Sequence, residues 1–222
     1  MPGKTGILIG ATGLVGGHCL NLLLRSPDYD KVVAVSRRPL AFKHPKLIPI
    51  EIPSFEHLGQ SLEHIAPDDA FCCLGTTASQ AGTRADFQRV DHDYALAFAH
   101  RMLCNGARHF LLVSAIGAQV QSPVFYNRVK GLLEQDVIAL GFARTSIFRP
   151  SLLQGDRHQV RPGEAIGSSL STFIAPFLLG PLRALHPIRG TEVAAAMVAC
   201  AGRAGPQGAS IYRYNDMQAL RT

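Results

Sequence analysis

Residues 6–17 read GILIGATGLVGG, an apolar run followed by three glycines spaced three residues apart, Gly10, Gly13 and Gly16. Glycine weakens a helix, so its repeated use where the pattern from Leu14 to Arg25 becomes helical needs a reason. A tight turn that brings backbone amides against a phosphate at a helix N-terminus supplies one. A loop that merely needs small residues is the alternative, and the surrounding pattern decides between them.

Apolar runs and amphipathic stretches alternate along the first two thirds of the chain. The predicted strands are 5–10, 31–36, 47–52, 68–75, 109–116 and 144–151, and the predicted helices are 14–25, 85–104 and 124–140. A late helix at 191–201 and a late strand at 210–215 follow. Continuous apolar strands separated by helices indicate a parallel sheet covered on both faces. We therefore expect an α/β fold, a Rossmann-like doubly wound parallel sheet forming one NAD(P)-binding domain over residues 1–222.

Residues 152–186 break this alternation and predict a small C-terminal cap on the substrate side of the sheet. The cap contains an uncharged stretch, 165–182, that is interrupted by glycine, serine and proline. Such a composition is unfavourable for a membrane span, so none is expected. Packing in the core or at a subunit contact explains the stretch as well as a cap does.

Composition limits the classes of partner. The formal net charge is +6, but the basic residues are scattered and form no run, which argues against nucleic acid. The five cysteines are odd in number and contain no C-x-x-C pair, which is typical of free thiols in a reducing compartment. We therefore expect a cytoplasmic protein. No zinc signature is present, and no metal site is expected.

The glycine turn lies between the first strand and the first helix of a βαβ unit, which is the context that a dinucleotide fingerprint requires. The candidate cofactor-binding residues of the turn are Gly10, Thr12, Gly13, Leu14, Val15 and Gly16. A phosphate loop of the Gly-Lys-Ser/Thr type is excluded, because no such sequence follows the turn.

The end of the second strand bears on the choice between NAD and NADP. An NAD site usually places an acidic residue there, whereas this chain has Ser36 followed by Arg37 and Arg38. A guanidinium suits a 2′-phosphate, so the pattern predicts NADP(H). Two solvated surface arginines are the alternative.

Ser114 ends the fifth predicted strand, and Tyr126 and Lys130 follow four residues apart on one face of a predicted helix. Hydride transfer to a carbonyl needs a proton donor, and tyrosine normally titrates near about 10. A neighbouring ammonium favours the phenolate and brings that proton into a useful range. The three residues are therefore the candidate catalytic group: Tyr126 as the acid, Lys130 as its modifier and Ser114 as a hydrogen-bond donor. A surface pair is the alternative for Tyr126 and Lys130.

These motifs resemble the short-chain dehydrogenase/reductase superfamily in its extended or atypical branch. The stretches CCLGTT (72–77), RVDHDY (89–94), FRPSLLQGDR (148–157) and RPGE (161–164) are similar to the atypical reductases grouped with the human Tat-interacting tumour suppressor oxidoreductase. The resemblance implies NADP(H) in a Rossmann fold. It further implies cofactor contacts from Leu74, Gly75, Thr76, Tyr126, Lys130, Pro150 and Leu152. Asp91 stands where the superfamily often has an asparagine that supports a proton relay.

The function expected from these observations is NADPH-dependent reduction of a carbonyl on an unknown small molecule. A non-catalytic NADPH-binding protein that senses redox state or regulates a protein partner is the first alternative. A nucleotide-sugar epimerase or dehydratase is the second, although such enzymes generally need a larger substrate domain. The sequence allows a monomer or a homodimer.

Overall fold

A computed structural model describes residues 3–76, 81–154 and 186–221 of the chain. Seven of its strands form one parallel sheet in the order β3-β2-β1-β4-β5-β6-β9. They are β1 (Lys4–Ile9), β2 (Tyr29–Ser36), β3 (Leu47–Glu51), β4 (Asp69–Cys72), β5 (His109–Val113), β6 (Arg144–Phe148) and β9 (Gly208–Tyr212). Two short strands, β7 (Leu153–Gln154) and β8 (Ile188–Arg189), pair in parallel beside it. The predicted fold class is confirmed.

Helices cover both faces of the sheet. They are α1 (Leu14–Arg25), α2 (Leu58–Ser61), α3 (Arg84–Gln88), α4 (Tyr94–Cys104), α5 (Phe125–Ala139), α6 (Gly190–Gly202) and α7 (Tyr214–Ala219). In β1, Leu8 packs with α1 and α6, whereas Ile7 and Ile9 pack with α4 and α5 on the opposite face. This alternation follows from the strand period of two and explains why β1 is apolar at consecutive positions from Ile7 to Ile9.

Several elements differ from the expectation. The strands predicted over 68–75, 109–116 and 144–151 end at Cys72, Val113 and Phe148, and α2, α7, β7 and β8 were not predicted. The single helix predicted over 85–104 is divided into α3 and α4 by a π-helical turn at Arg89–Asp93. The late strand lies at Gly208–Tyr212 rather than 210–215, because α7 begins at Tyr214. Pro49 does lie within a strand, and β3 tolerates it because β3 is an edge strand of the sheet. The uncharged stretch 165–182, and with it most of the predicted cap, lies outside the described residues.

A buried polar cluster lies at the amino ends of the strands. Asp69 Oδ2 accepts hydrogen bonds from Tyr29 Oη at 2.7 Å and Lys4 Nζ at 3.1 Å. His109 Nδ1 is 3.6 Å from Asp69 Oδ1, and its Nε2 is 2.9 Å from Ser146 Oγ. Burial opposes charge on both groups. Contacts with His109, Tyr29 and Lys4 nevertheless lower the pKa of Asp69, and contacts with Asp69 and Cys200 raise the pKa of His109. The cluster is therefore an ionic one inside the domain.

All five cysteines are free thiols. Within the described ranges, no helix has the length and apolar character needed to cross a membrane.

Candidate active site

The carboxyl ends of the central strands converge on one edge of the sheet. The register pairs Ile9 with Val35 and Cys72, and it pairs Val113 with Phe148. The residues that follow these strands therefore lie side by side, where ligands bind in open α/β sheets. Five segments lie at or just after the carboxyl end of a strand at this edge. They are the glycine turn, Ser36, the loop from Cys73 to Thr76, Ser114 and Pro150.

The glycine turn leaves no room for side chains at two of its three glycines. Gly10 has a φ of +87°, and a Cβ there would lie 2.5 Å from Cys73 O. A Cβ on Gly16 would lie 2.0 Å from Gly10 O, so α1 packs directly on the turn. Gly13 precedes the first residue of α1 and makes no side-chain cap, and the first turn of α1 carries no acidic residue. The turn therefore presents bare backbone at a helix N-terminus, as the sequence predicted for a phosphate cradle.

The three other candidate residues of the turn differ in exposure. Thr12 is exposed, Leu14 is partly buried, and Val15 is buried in the core beneath α1. Leu14 Cγ would be 2.8 Å from a Cβ on Gly190, the first residue of α6. Leu14 and Val15 thus pack α1 against the rest of the domain, while Thr12 faces solvent.

Ser36, Arg37 and Arg38 lie together at the end of β2, at the same edge as the glycine turn. Ser36 is buried, and its hydroxyl donates to Arg38 O at 2.7 Å. Both arginines are exposed, and the Arg37 guanidinium lies 5.7 Å from the centre of the Phe55 ring. The sequence did not indicate that Phe55 belongs to this group, because Phe55 and Arg37 lie in different segments of the chain. Phe55 steadies Arg37 by a cation–π contact.

The buried Asp91 carboxylate connects helix α5 to the loop after β4. Asp91, in the π-helical turn, has Oδ1 2.7 Å from Lys130 Nζ, and its Oδ2 accepts from Thr76 N at 2.7 Å. A Cβ on Gly75 would lie 3.3 Å from Asp91 Oδ1 and 3.7 Å from Lys130 Nζ, so a side chain there would press on the pair. The neighbouring Leu74 packs partly against the core.

Lys130 is held in its charged form. Burial disfavours an ammonium group, but the Asp91 carboxylate outweighs burial and raises the pKa of Lys130 above its usual range. The side chains of Lys130 and Asp91 are only 4% and 1% exposed. At this depth the pair is shielded from bulk water and from salt.

Tyr126 lies one helical turn before Lys130 and is 37% exposed. Its ring lies 5.4 Å from the ring of Phe87, which is buried on α3. The exposed Tyr126 and the buried Lys130 thus share one face of α5, the arrangement expected of a donor and its modifier.

Ser114 is buried, and its hydroxyl donates to Glu134 Oε1. Glu134 also accepts from Arg149, whose Nε lies 3.0 Å from Oε1 and 3.2 Å from Oε2. Glu134 comes one further turn along α5, so Tyr126, Lys130 and Glu134 follow one another at intervals of four residues. Glu134 and Arg149 also line a cleft of about 580 Å³ between α5, the loop after β5 and the end of β9. Donation from Ser114 to a substrate oxygen must therefore compete with Glu134.

Pro150 and Leu152 follow β6 at the same edge of the sheet. Pro150 is buried and Leu152 is exposed. Their carbonyl oxygens accept backbone hydrogen bonds from Ile116 N at 2.8 Å and Ile188 N at 3.0 Å. The segment is therefore tied on both sides, to the loop after β5 and to β8. In the described part of the chain, no cluster of three His, Cys, Asp or Glu side chains could hold a metal ion.

The NAD dependent epimerase/dehydratase family model matches residues 7–221. The chain belongs to this family. It is 38% identical over 191 residues to "Protein FMP52-1, mitochondrial" of Scheffersomyces stipitis, covering 84% of this chain and 83% of that protein. It is also 38% identical over 167 residues to "Protein HTATIP2" of Rattus norvegicus, covering 74% of this chain and 69% of that protein. The resemblance to the atypical reductases is confirmed.

Solved structures share the fold. A short chain dehydrogenase from Burkholderia cenocepacia J2315, determined in complex with NADP, matches with a TM-score of 0.69. The match covers 99% of this chain and 92% of that chain at 15% sequence identity. At this identity the likeness concerns the fold alone, and it agrees with the doubly wound sheet described above.

The expected cytoplasmic location is wrong by this comparison. The Scheffersomyces relative is named as mitochondrial, and so are similar relatives from Emericella nidulans and Eremothecium gossypii. These names point to mitochondria. Free cysteines could not reveal this, because they indicate a reducing compartment without saying which one.

Proposed function

We propose that the protein is an NADPH-dependent reductase of a carbonyl group on a small molecule. The observation that carries the proposal is the shared edge of the sheet. The glycine turn before α1 and the face of α5 that carries Tyr126 and the buried Lys130 both belong to this edge, which supports cofactor binding and proton transfer in one site. A protein that only senses NADPH has no need of the Tyr126 and Lys130 pair.

The residues of the turn fit a dinucleotide. Backbone atoms of this chain already fill the space where Gly10 or Gly16 would carry a Cβ, so the turn is closely packed. The pyrophosphate would lie against the backbone of this turn at the start of α1. Thr12, Gly13, Leu14 and Val15 complete this turn. Lys130 would bind the ribose next to the nicotinamide, and Leu74, Gly75 and Thr76 would line the adenosine-phosphate side. The backbone from Pro150 to Leu152 would meet the carboxamide.

The family name mentions NAD and gives no support for NADP. The proposed preference for NADP therefore rests on Ser36, Arg37 and Arg38. Arg37 stands over Phe55 with its guanidinium in solvent, positioned to meet a 2′-phosphate. The Ser36 hydroxyl would leave Arg38 O to donate to that phosphate. No carboxylate follows Val35 to repel it.

The chain's own residues then handle the proton. When bound, the cofactor supplies a hydride to the carbonyl carbon. Tyr126 gives its phenolic proton to the carbonyl oxygen, which yields an alcohol and a phenolate. Lys130 stabilises that phenolate through its charge, and Ser114 donates to the same oxygen after rotation away from Glu134. Phe87 holds the Tyr126 ring at the mouth of the site.

The test is a screen of carbonyl compounds for NADPH oxidation, followed by Tyr126→Phe on any substrate found. The variant keeps the ring contact with Phe87, so NADPH affinity stays near the wild-type value. Turnover falls about a hundredfold or more, because the proton donor is gone. Wild-type turnover by Tyr126→Phe would refute the assignment, and NADPH binding without turnover of any carbonyl would favour the sensor alternative.

A further inference from the structure

We propose that Asp91 is a positioning residue of the active site, whose one buried carboxylate holds Lys130 protonated and docks the loop after β4. The catalytic role of Asp91 rests on the proposed function, whereas its contacts with Lys130 and Thr76 are independent of that function. The first role needs a carboxylate, because an asparagine at this position would supply no negative charge to Lys130.

The geometry gives the carboxylate two separate tasks. Oδ1 is 2.7 Å from Lys130 Nζ, and Oδ2 is 2.7 Å from Thr76 N. The two partners come from α5 and from the loop after β4, so one side chain connects the tyrosine-bearing helix to a loop on the cofactor side. Gly75 lies against the pair and leaves room for it.

The local backbone is widened where Asp91 sits. The π-helical turn at Arg89–Asp93 interrupts the helix that would otherwise join α3 to α4. Such turns insert one residue into a helix and frequently occur at functional sites. Here the turn carries Asp91 at 1% exposure directly beneath the site.

Among the described residues, the charges that act most strongly on Lys130 belong to three ionisable groups. They are Asp91 in the π-helical turn, Tyr126 on the same helix and Cys72 at the end of β4. Burial raises the pKa of Cys72 to about 12, so this thiol is neutral at physiological pH. Tyrosine is neutral there as well in its ordinary state. Asp91 is therefore the anion that balances the Lys130 ammonium.

The first experiment follows the ionisation of Lys130 directly. The chain has five lysines, Lys4, Lys31, Lys43, Lys46 and Lys130, so isotope-labelled lysine ε-carbons give a simple NMR spectrum. Loss of one signal in Lys130→Met assigns it. In Asp91→Asn the midpoint of the Lys130 titration falls by about two units or more, because burial is no longer opposed by an anion. In the control Asp93→Asn, an exposed neighbour paired with His92, the midpoint stays unchanged. An unchanged midpoint in Asp91→Asn would overturn the proposal.

The second task is tested with two substitutions. Asparagine keeps an oxygen that can accept from Thr76 N, whereas alanine does not. Hydrogen exchange of the Thr76 amide therefore accelerates at least about tenfold in Asp91→Ala, the equivalent of losing one hydrogen bond, and less in Asp91→Asn. Equal protection of Thr76 in wild type and Asp91→Ala would show that the loop is held by other contacts.

A stability comparison covers the case in which Asp91→Asn does not fold. Lys130→Met leaves the Asp91 carboxylate buried without its partner, and adding Asp91→Asn removes that charge. The double variant therefore has a folding equilibrium constant at least about ten times that of Lys130→Met. A double variant that is less stable than Lys130→Met would overturn the pairing. These readouts need neither substrate nor turnover, so a protein that reduces no carbonyl would refute the proposed function and leave this result standing.

Discussion

Glu134→Gln is expected to destabilise the protein strongly, although it changes only one oxygen to an amide nitrogen. The Glu134 carboxylate is buried and receives donors from Ser114 and from two nitrogens of Arg149. In the variant an amide hydrogen faces one of these donors, and the Arg149 charge loses its partner. Breaking a buried ion pair costs about 3–5 kcal/mol. Because the Arg149 side chain is 19% exposed, we expect a loss of about 3 kcal/mol, the lower end of that range.

The measurement is urea unfolding of wild type and Glu134→Gln, with a thermal scan beside it. For a chain of this size, about 3 kcal/mol lowers Tm by roughly 6–12 °C. Glu63→Gln, an exposed glutamate, is the matched control and changes stability by less than about 0.5 kcal/mol. Combining Glu134→Gln with Arg149→Gln restores part of the loss, because the unpaired guanidinium is removed. A Glu134→Gln variant as stable as Glu63→Gln would refute a buried ionic role.

Three further predictions concern the two ends of the sheet. Arg37→Ala weakens NADPH binding by about 1.5–3 kcal/mol, roughly ten- to a hundredfold, and leaves NADH binding unchanged in calorimetric titrations. Equal wild-type affinities for the two cofactors would contradict the assigned specificity. Gly16→Ala abolishes NADPH binding, because its Cβ would lie 2.0 Å from a backbone oxygen. The control Gly17→Ala, whose Cβ would lie 3.5 Å from the nearest atom, keeps NADPH binding. Similar NADPH affinities of the two variants would exclude a steric cause. The raised pKa of His109 contributes stability that is present at acidic pH and lost as pH rises through that pKa, so His109→Gln destabilises more at about pH 6 than at about pH 9 in urea unfolding. A loss independent of pH would show that His109 does not act as a cationic partner of Asp69.

Local patterns were sufficient to predict the sheet and its ligand edge. Strands buried on both faces contain continuous apolar runs, as in Gly6–Ile9 of β1, Val32–Val35 of β2 and Phe110–Val113 of β5. The glycines before α1 and the spacing of Tyr126 and Lys130 are also local signals. They needed only the rule that parallel strands present their carboxyl ends together.

Contacts between side chains that are distant in the sequence could not be predicted from local patterns. The π-helical turn adds one residue to a helix whose apolar spacing continues on both sides, so the pattern over 85–104 looks uninterrupted. The partners of Asp91 and Glu134 come from distant parts of the chain and depend on how α4 and α5 meet the sheet. The four-residue spacing from Lys130 to Glu134 was the one signal present in the sequence. It places Glu134 on the right face but does not reveal Ser114 or Arg149 as its partners.

The pairing of β7 with β8 has an evolutionary consequence. Leu153 and Gln154 lie beside Ile188 and Arg189, and Ser151 donates to His186 O, so the two segments that flank residues 155–185 are held next to each other. Lengthening a segment between two adjacent anchors costs little chain entropy, since each doubling adds only about 0.6 kcal/mol. The intervening residues can therefore be exchanged between relatives as a cassette without altering the strand order. Chimaeras with junctions at Gln154 and Ile188 are therefore expected to fold with the seven-stranded sheet unchanged.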